Sequence, residues 1–408
     1  MFQVLYNTHF TGIGQMHKIN SFDEIQRLET VLVGSTYDSS FFDGVKNKKI
    51  GDVLKKICDE TTEDIEYFKD QLKSHNVKIL QASPAELGYK SSILDYIDVN
   101  GKLGYVDTNN FITKRNLIPT PPLHVRDDSI ILGNKLLVTD NTFEVKGLVE
   151  KYKEWFGEEQ LDLRVFNGEF QFRQPTRSDA TFTTGDPKLD VITNYRLEVA
   201  ESHHEENQTL DGFCSPNLTR VGKSCIVDLW QTPDALAFMQ KEFPLFKYIP
   251  LEIGGHLDSI FSILKPGLII AGPWFKGNEY LFPNWKIIYF TDSNWGHIAN
   301  WLELREKNRG AWWVPGEEVN HQFTEFIEGF LPNWTGYCEE TIFDLNCLII
   351  DDKHVVINSD NPDLIKVLEE NNITPIVCPL RNRFFWDGGW HCLTLDIQRA
   401  GGQQDYGI

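Results

Sequence analysis

Cys392 lies in the stretch of the chain best suited to chemistry, Asp387-Gly388-Gly389-Trp390-His391-Cys392-Leu393-Thr394-Leu395-Asp396. Two glycines permit a tight backbone path, and a thiol then stands at the mouth of an alternating apolar strand. A substrate that must approach sulfur closely needs that freedom. A small thiol packed in a core has the same local composition, so the segment alone allows either a nucleophile or a buried filler. His391 is expected to point away from Cys392, because neighbours on a strand face opposite sides.

A second segment, Gly254-Gly255-His256-Leu257-Asp258, sets a histidine and a carboxylate two residues apart on extended chain, and so on one face. That pairing suits a general acid–base whose charge is held near neutrality, and equally an ordinary surface pair. Val125-Arg126-Asp127-Asp128 precedes an apolar strand. Ser215-Pro216-Asn217 leads into Arg220-Val221-Gly222-Lys223, a loop that either orients a histidine or makes a turn. His203-His204-Glu205-Glu206 lacks helical i, i+4 spacing and a third ligand, so no metal site is expected there. No dinucleotide, Walker or serine-elbow motif falls in a strand–turn–helix context, and no cofactor is expected.

The elements that must position these residues recur. Paired β-rich runs are followed by a helical pattern and a returning strand. Glu29–Gly34 precedes a helix over Thr61–His75 and a strand Val77–Leu80. Ser129–Leu132 and Leu136–Thr139 form a hairpin through Gly133-Asn134-Lys135, before a helix Val145–Phe156 and a strand Asp162–Phe166. Ser224–Leu229, helix Pro233–Phe243 and Lys247–Pro250 make a third unit. Ser259–Ile263, Leu268–Ala271 and Lys286–Phe290 make a fourth. Leu345–Ile350, Val355–Ile357, helix Pro362–Asn371 and Pro375–Pro379 make a fifth. Such repetition predicts a radial architecture in which residues 1–408 form one domain. Two excursions break the rhythm: about 168–212, which is polar, and about 295–340, which holds Trp295, Trp301, Trp312, Trp313 and Trp334. Each suits a lid or, for the tryptophans, packing against a second copy of the chain, so a homodimer is expected.

Composition narrows the function classes. With 408 residues, 41% hydrophobic and 24% charged, the chain has ample core and no disordered or collagenous bias. Its 39 basic and 59 acidic residues leave a net charge of −20, which repels phosphate backbones and anionic lipid. Small or cationic ligands are the natural partners, with no nucleic acid and no membrane. No apolar run approaches the roughly 18 residues of a bilayer span. The start, MFQVLYNTHF, carries neither a signal-peptide pattern nor an Arg-rich transit pattern. Seven scattered cysteines (Cys58, Cys214, Cys225, Cys338, Cys347, Cys378, Cys392) without a CxxC pair point to reduced thiols in a cytoplasm.

Taken in order, the segments resemble the amidinotransferase family, typified by arginine:glycine amidinotransferase, within the guanidino-group-modifying superfamily. The resemblance runs from ETVLVGS through VRDDSIILGNKLL, FCSPNLTRVGKS, HLDSIFSILKPGLII and FDLNCLIIDDKHVVI to RNRFFWDGGWHCLTLDIQRAG. It implies a pentein-like α/β propeller of five ββαβ modules around a central site, with no cofactor. It implies a ping-pong transfer in which Cys392 attacks the guanidinium carbon of arginine and His256 protonates the departing ornithine. His256 then deprotonates the acceptor amine, glycine by default, which would give guanidinoacetate.

By the same correspondence Asp127 and Asp258, with Arg126 beside them, clamp the guanidinium. Asn217 stands where the family orients the histidine with an aspartate. Lys276, in Trp274-Phe275-Lys276, replaces by a one-residue shift the arginine that grips the substrate carboxylate. Asp344 occupies the place of a serine near the substrate and would suit a cationic acceptor. Two other readings share the site. One is a deiminase or dihydrolase in which water resolves the Cys392 adduct. The other, motivated by Asn217 and Phe275, is a pocket that binds a cationic ligand with little turnover.

Overall fold

The protein is described by a computed structural model covering residues 16–96, 118–140, 143–170, 215–228, 233–251, 253, 256–290, 314–317, 319–331, 334–335 and 343–408. In these residues the strands assemble as five three-stranded sheets. They are β1 (Leu28–Val33) with β2 (Lys78–Leu80) and the last strand β15 (Thr394–Arg399); β3 (Ser129–Leu132), β4 (Lys135–Val138) and β5 (Leu161–Asp162); β6 (Leu218–Val221), β7 (Ser224–Asp228) and β8 (Lys247–Leu251); β9 (Phe261–Lys265), β10 (Leu268–Ala271) and β11 (Lys286–Tyr289); and β12 (Leu348–Ile349), β13 (His354–Ile357) and β14 (Thr374–Val377). In every sheet the central strand is antiparallel to one neighbour and parallel to the other.

A parallel partner requires a crossover. Helices α1 (Lys48–Ser74), α2 (Phe143–Phe156), α3 (Pro233–Glu242) and α6 (Pro362–Glu370) supply it in four modules. In the remaining module two single-turn 3-10 segments, Pro273–Phe275 and Glu279–Leu281, make the crossover instead. Three further helices are α4 (Leu257–Ile260), a single turn before β9, α5 (His321–Phe330) and α7 (Arg383–Trp386), again a single turn.

The sheets are blades of a closed α/β propeller, because each shares a core with the next. Ile130 and Leu137 pack with Cys225 and Val227; Val221 and Ile226 with Phe261 and Ile269. Leu264 and Ile270 pack with Ile349 and Val355, and Leu348 and Val356 with Val31, Leu395, Ile131 and Leu136. The sequence shows only one strand ahead of α1. The missing blade strand is β15, which pairs antiparallel with β1 from the far end of the chain and closes the ring.

Helix α1 starts well before the expected Thr61. Ile50, Val53, Leu54, Ile57, Ile65, Phe68 and Leu72 make one buried face at helical spacing across a charged run. The Asn47 side chain caps the first turn by accepting from Lys49 N, and Asn76, at φ 61°, ends the helix in the left-handed region. Its buried face meets the Cys392 loop. Phe68 stacks on Trp390 at 4.1 Å, and Trp386 Nε1 donates to Thr61 Oγ1 at 2.8 Å.

Of the expected excursions, residues 171–212 lie outside the described residues. In the second, α5 packs on α1. Trp334 is 3% exposed, stacks on Tyr37 at 5.4 Å and donates from Nε1 to the Ile118 carbonyl. Trp334 therefore fills this chain's own core and offers no face to a second copy. The other four tryptophans of that stretch lie outside the described residues.

Candidate active site

The segment bearing Cys392 turns sharply before β15 begins. Asp387 takes φ 55° at the end of the turn Arg383–Trp386 and hands the chain to Gly388 and Gly389. Leu393 N then donates to Gly389 O, and Thr394 N to His391 O, so His391 and Cys392 sit in a helical turn, not on a strand. The period-2 expectation for His391 is corrected accordingly: both side chains converge on one carboxylate. His391 Nδ1 lies 2.7 Å from Asp258 Oδ2, and Cys392 Sγ donates to the same oxygen at 3.5 Å.

The glycines serve the protein before any substrate. A Cβ on Gly388 would fall 2.8 Å from His124 Nε2 and 3.1 Å from Cys392 Cβ. One on Gly389 would fall 2.7 Å from Asn346 O and from Asn358 Nδ2. Each glycine thus admits a polar group to the nucleophile's surroundings. Asn346 holds Cys392 at two points: its Nδ2 donates to Sγ at 2.9 Å and its Oδ1 accepts Cys392 N–H at 3.0 Å. Asn358 in turn donates to Asn346 O and accepts from Trp390 N. We expect Gly389→Ala to displace Asn346 and cost about 1–3 kcal/mol by overpacking. Urea unfolding and the alkylation rate of Cys392 should both change; an unaltered alkylation rate would show that Asn346 does not set the thiol's position.

His391 is buried between two carboxylates, with Nδ1 on Asp258 and Nε2 3.5 Å from Glu24 Oε2. Using both nitrogens as donors requires the imidazolium. Burial and Arg126 push its pKa down, but the bonds to Asp258 and Glu24 prevail and raise it. Burial alone would raise Asp258, yet its bond to His391 and the charges of His391, His256 and Arg126 bring it to about 2. Glu24 is lowered against its own burial, chiefly by His391.

The signs fix a pH window. A raised histidine stabilises the fold fully below its unfolded value of 6.5 and loses that contribution as pH climbs through its folded value. Asp258 stabilises above 3.8 and loses its contribution as pH falls toward about 2. The parent should therefore lose stability as pH rises above 6.5, and His391→Gln should flatten that limb, by about 1–3 kcal/mol at its plateau. Thermal unfolding from pH 6 to 9 reads the difference; parallel curves for the two proteins would remove His391 as its origin.

The other sequence-predicted residues divide. His256 precedes α4 and is half-buried, and its charge acts on both Asp258 and His124. Asn217 is fully buried in a turn that packs on α4. Asp127 follows His124 in the turn ahead of β3, its N–H on the His124 carbonyl. Asp344 is buried beside α4, but both its oxygens already accept, from Ser359 Oγ at 2.8 Å and Asn361 Nδ2 at 2.6 Å.

Two expectations are corrected. Arg126 does not face a ligand: it is 1% exposed, with Nε on the carbonyls of His391 and Thr394 and Nη2 on Asp396 Oδ1 at 2.9 Å. Its guanidinium fastens the nucleophile loop to the second blade. Lys276 is exposed and lies over the Tyr289 ring, outside the cluster, while Phe275 is buried against Phe261 and Phe282. Of the unforeseen members, Glu24, His124, Asn346 and His391, the last three are polar side chains with an apolar residue on either side, while Glu24 lies in a polar stretch that offers no such signal. A buried polar residue is the informative kind, and that pattern was the available signal.

Beneath the site, Asp396 on β15 binds three buried guanidinium groups. Arg126 and Arg220 reach Oδ1, and Arg220 and Arg399 reach Oδ2, all between 2.7 and 3.0 Å, with Ser21 Oγ on Oδ2 at 2.8 Å. These ties join three blades directly under Cys392. Among the described residues no histidine, cysteine and carboxylate cluster is arranged to hold a metal ion.

A five-bladed α/β propeller with a buried cysteine, paired carboxylates and histidines under one rim defines the class. No family model matches the chain. It is 26% identical over 291 residues to mitochondrial glycine amidinotransferase of Gallus gallus, which spans 69% of this chain and 60% of that protein. It is 24% identical over 151 residues to the Xenopus tropicalis protein, 37% of this chain and 28% of that one. A stretch of 70 residues is 31% identical to L-arginine:L-lysine amidinotransferase of Pseudomonas savastanoi pv. phaseolicola, 17% of this chain and 19% of that one.

The match thus covers under two thirds of the length of these relatives. The fold matches the amidinotransferase SxtG of Microseira wollei (TM-score 0.59, 17% identity, 95% of this chain and 99% of that one). It also matches inosamine-phosphate amidinotransferase StrB1 of Streptomyces griseus (TM-score 0.58, 16% identity, 96% and 100%). In sequence and in fold the chain is thus similar to amidinotransferases.

Proposed function

We propose that the chain is an amidinotransferase that moves the amidino group of L-arginine to a primary amine, glycine being the first acceptor to try, through an adduct on Cys392. The observation that carries this reading is the sulfur itself, held by the Asn346 amide on one side and 3.5 Å from the Asp258 carboxylate on the other. In the absence of a cation the thiol proton is shared with Asp258, which opposes ionisation. A guanidinium neutralising Asp258 and Asp127 removes that opposition, the thiol proton passes to His256, and the Asn346 N–H and the nearby imidazolium stabilise the thiolate.

Sulfur then attacks the guanidinium carbon. The bond from that carbon to the ornithine nitrogen breaks, and His256, oriented by Asn217, gives the departing amine its proton. The amidino group remains on sulfur as a thiouronium. An acceptor amine loses a proton to His256 and attacks the same carbon, the carbon–sulfur bond breaks, and the thiolate returns. Asn217 fixes the imidazole without adding charge. With Lys276 outside the cluster, the donor's carboxylate must be met by other groups. Cytoplasmic residence is part of the same reading, supported by Cys58, Cys225, Cys347 and Cys378, which are buried as thiols outside any disulfide.

The test is L-arginine labelled in its guanidino carbon, offered with a panel of amines including glycine, with products and intact protein read by mass spectrometry. Ornithine released in step with added amine, and a protein mass raised by one amidino group, are expected. Citrulline or ammonia formed without any amine would replace transfer by hydrolysis.

A further inference from the structure

His124 belongs to none of the roles above, yet it lies against the nucleophile. Its Nε2 and the Cys392 Cβ both abut the position where a side chain on Gly388 would begin, at 2.8 and 3.1 Å. The ring bonds the backbone of Trp386, and Nε2 is buried with no hydrogen-bond partner among the described residues. A carbonyl accepts only, so Nδ1 carries the hydrogen and a neutral ring presents its Nε2 lone pair. Neutrality is secured by burial and by the neighbouring charge of His256, which together bring its pKa to about 4 against the pull of Asp258.

A second buried acceptor of the cluster, Asp258 Oδ1, likewise has no partner among the described residues. Two open acceptors beside one thiol ask for a ligand that is a donor on every edge, and an amidino group is such a ligand, since it accepts nothing. A carboxylate in place of His124 would add a further anion next to the sulfur and oppose the thiolate. A neutral acceptor satisfies an N–H without that cost.

We propose that His124 is a substrate-contacting residue of this site, its Nε2 accepting an N–H of the amidino group that Asp258 Oδ1 also holds. The inference rests on the amidinotransferase reading and adds a specificity element to it: the site selects an unsubstituted amidino nitrogen at that edge. A donor alkylated there loses a hydrogen bond and meets Gly388, which has no room to retreat because His124 and Cys392 flank it.

The experiment titrates L-arginine, without acceptor, against the parent, His124→Phe and His124→Gln, and reads the amidino adduct on intact protein. In His124→Phe the arginine concentration for half-maximal adduct should rise about 10- to 100-fold, the loss of a hydrogen bond to a charged group. In His124→Gln, whose side-chain oxygen can accept, it should return to within about threefold of the parent. Iodoacetamide alkylation of Cys392, which asks nothing of an amidino contact, should proceed at a similar rate in all three.

Equal arginine dependence in parent and His124→Phe overturns the assignment and leaves the transferase reading intact. So does a joint loss of arginine use and alkylation in both variants, which would mark His124 as loop packing only. If the parent forms no adduct on Cys392, the transferase reading itself fails and takes this inference with it.

Discussion

Replacing Cys392 with alanine is expected to abolish amidino transfer, by about 10⁴-fold or more, while arginine still binds. The effect is this large because no neighbour can take over the attack. Burial pushes Cys58 and Cys378 up to about 12 and Cys347 to about 11, and raises Cys225 further, so at neutral pH these four are un-ionised thiols. None is flanked as Cys392 is, by an amide donor at 2.9 Å and a carboxylate that a cationic substrate can neutralise. Initial rates with arginine and a productive amine check the loss, and binding measured by calorimetry checks that the pocket survives. Retention of a few per cent of parent activity would mean that water or the amine attacks the guanidinium directly, and the covalent route would be withdrawn. A parallel loss of binding would assign Cys392 to packing.

Local patterns carried much of the fold. Hairpins such as Ser129–Leu137 and helices such as Pro362–Glu370 announce themselves through period-2 and period-3.6 spacing and turn residues, and the strands of three blades are legible in that way. The unit of Ser224–Leu229 lacks its first strand, because Leu218–Val221 reads as loop. The first unit is incomplete because β15 pairs with β1 across nearly the whole chain, where no local signal encodes a partner that distant. At the site, the segments with Cys392 and with His256 and Asp258 were singled out from residue type, and they do meet in space. Their detail was not available. Strand alternation does not hold at His391, which lies one turn before the strand begins, and the apolar run Leu345–Ile350 is not strand throughout, because Phe343–Leu345 is a 3-10 turn and Asn346 leaves the ladder to reach the sulfur. Lys276 stands on the surface, whereas Arg126, Arg220 and Arg399 are drawn inward by a single aspartate. Such convergence depends on tertiary distances that spacing along the chain does not contain.

Asp396→Asn should be among the most destabilising single changes in the protein, by about 3–5 kcal/mol or more, a large part of a typical domain's 5–15 kcal/mol. Arg126, Arg220 and Arg399 are each at most 2% exposed, and their charges converge on this carboxylate. The guanidinium charges hold Asp396 well below the usual carboxylate range in spite of complete burial. Asparagine keeps the shape but turns one oxygen into a donor facing Arg donors, and removes the charge that compensates them. Arg220 retains Glu24 at 3.5 Å, whereas Arg126 and Arg399 retain only carbonyl partners, so the uncompensated charge falls on those two. Because Arg126 also holds the carbonyls of His391 and Thr394, the loop that presents Cys392 should loosen before the propeller unfolds. Equilibrium urea unfolding reads the first effect, and faster alkylation of Cys392 at urea concentrations below the transition reads the second. An exposed pair gives the contrast: Arg27 and Glu29 touch at 2.6 Å with 58% and 29% side-chain exposure, and Arg27→Ala should shift stability by under about 1 kcal/mol. Should Asp396→Asn prove no more costly than Arg27→Ala, the three guanidinium groups must be balanced by charges other than Asp396, and the tie between blades and nucleophile would have to be sought in Glu24.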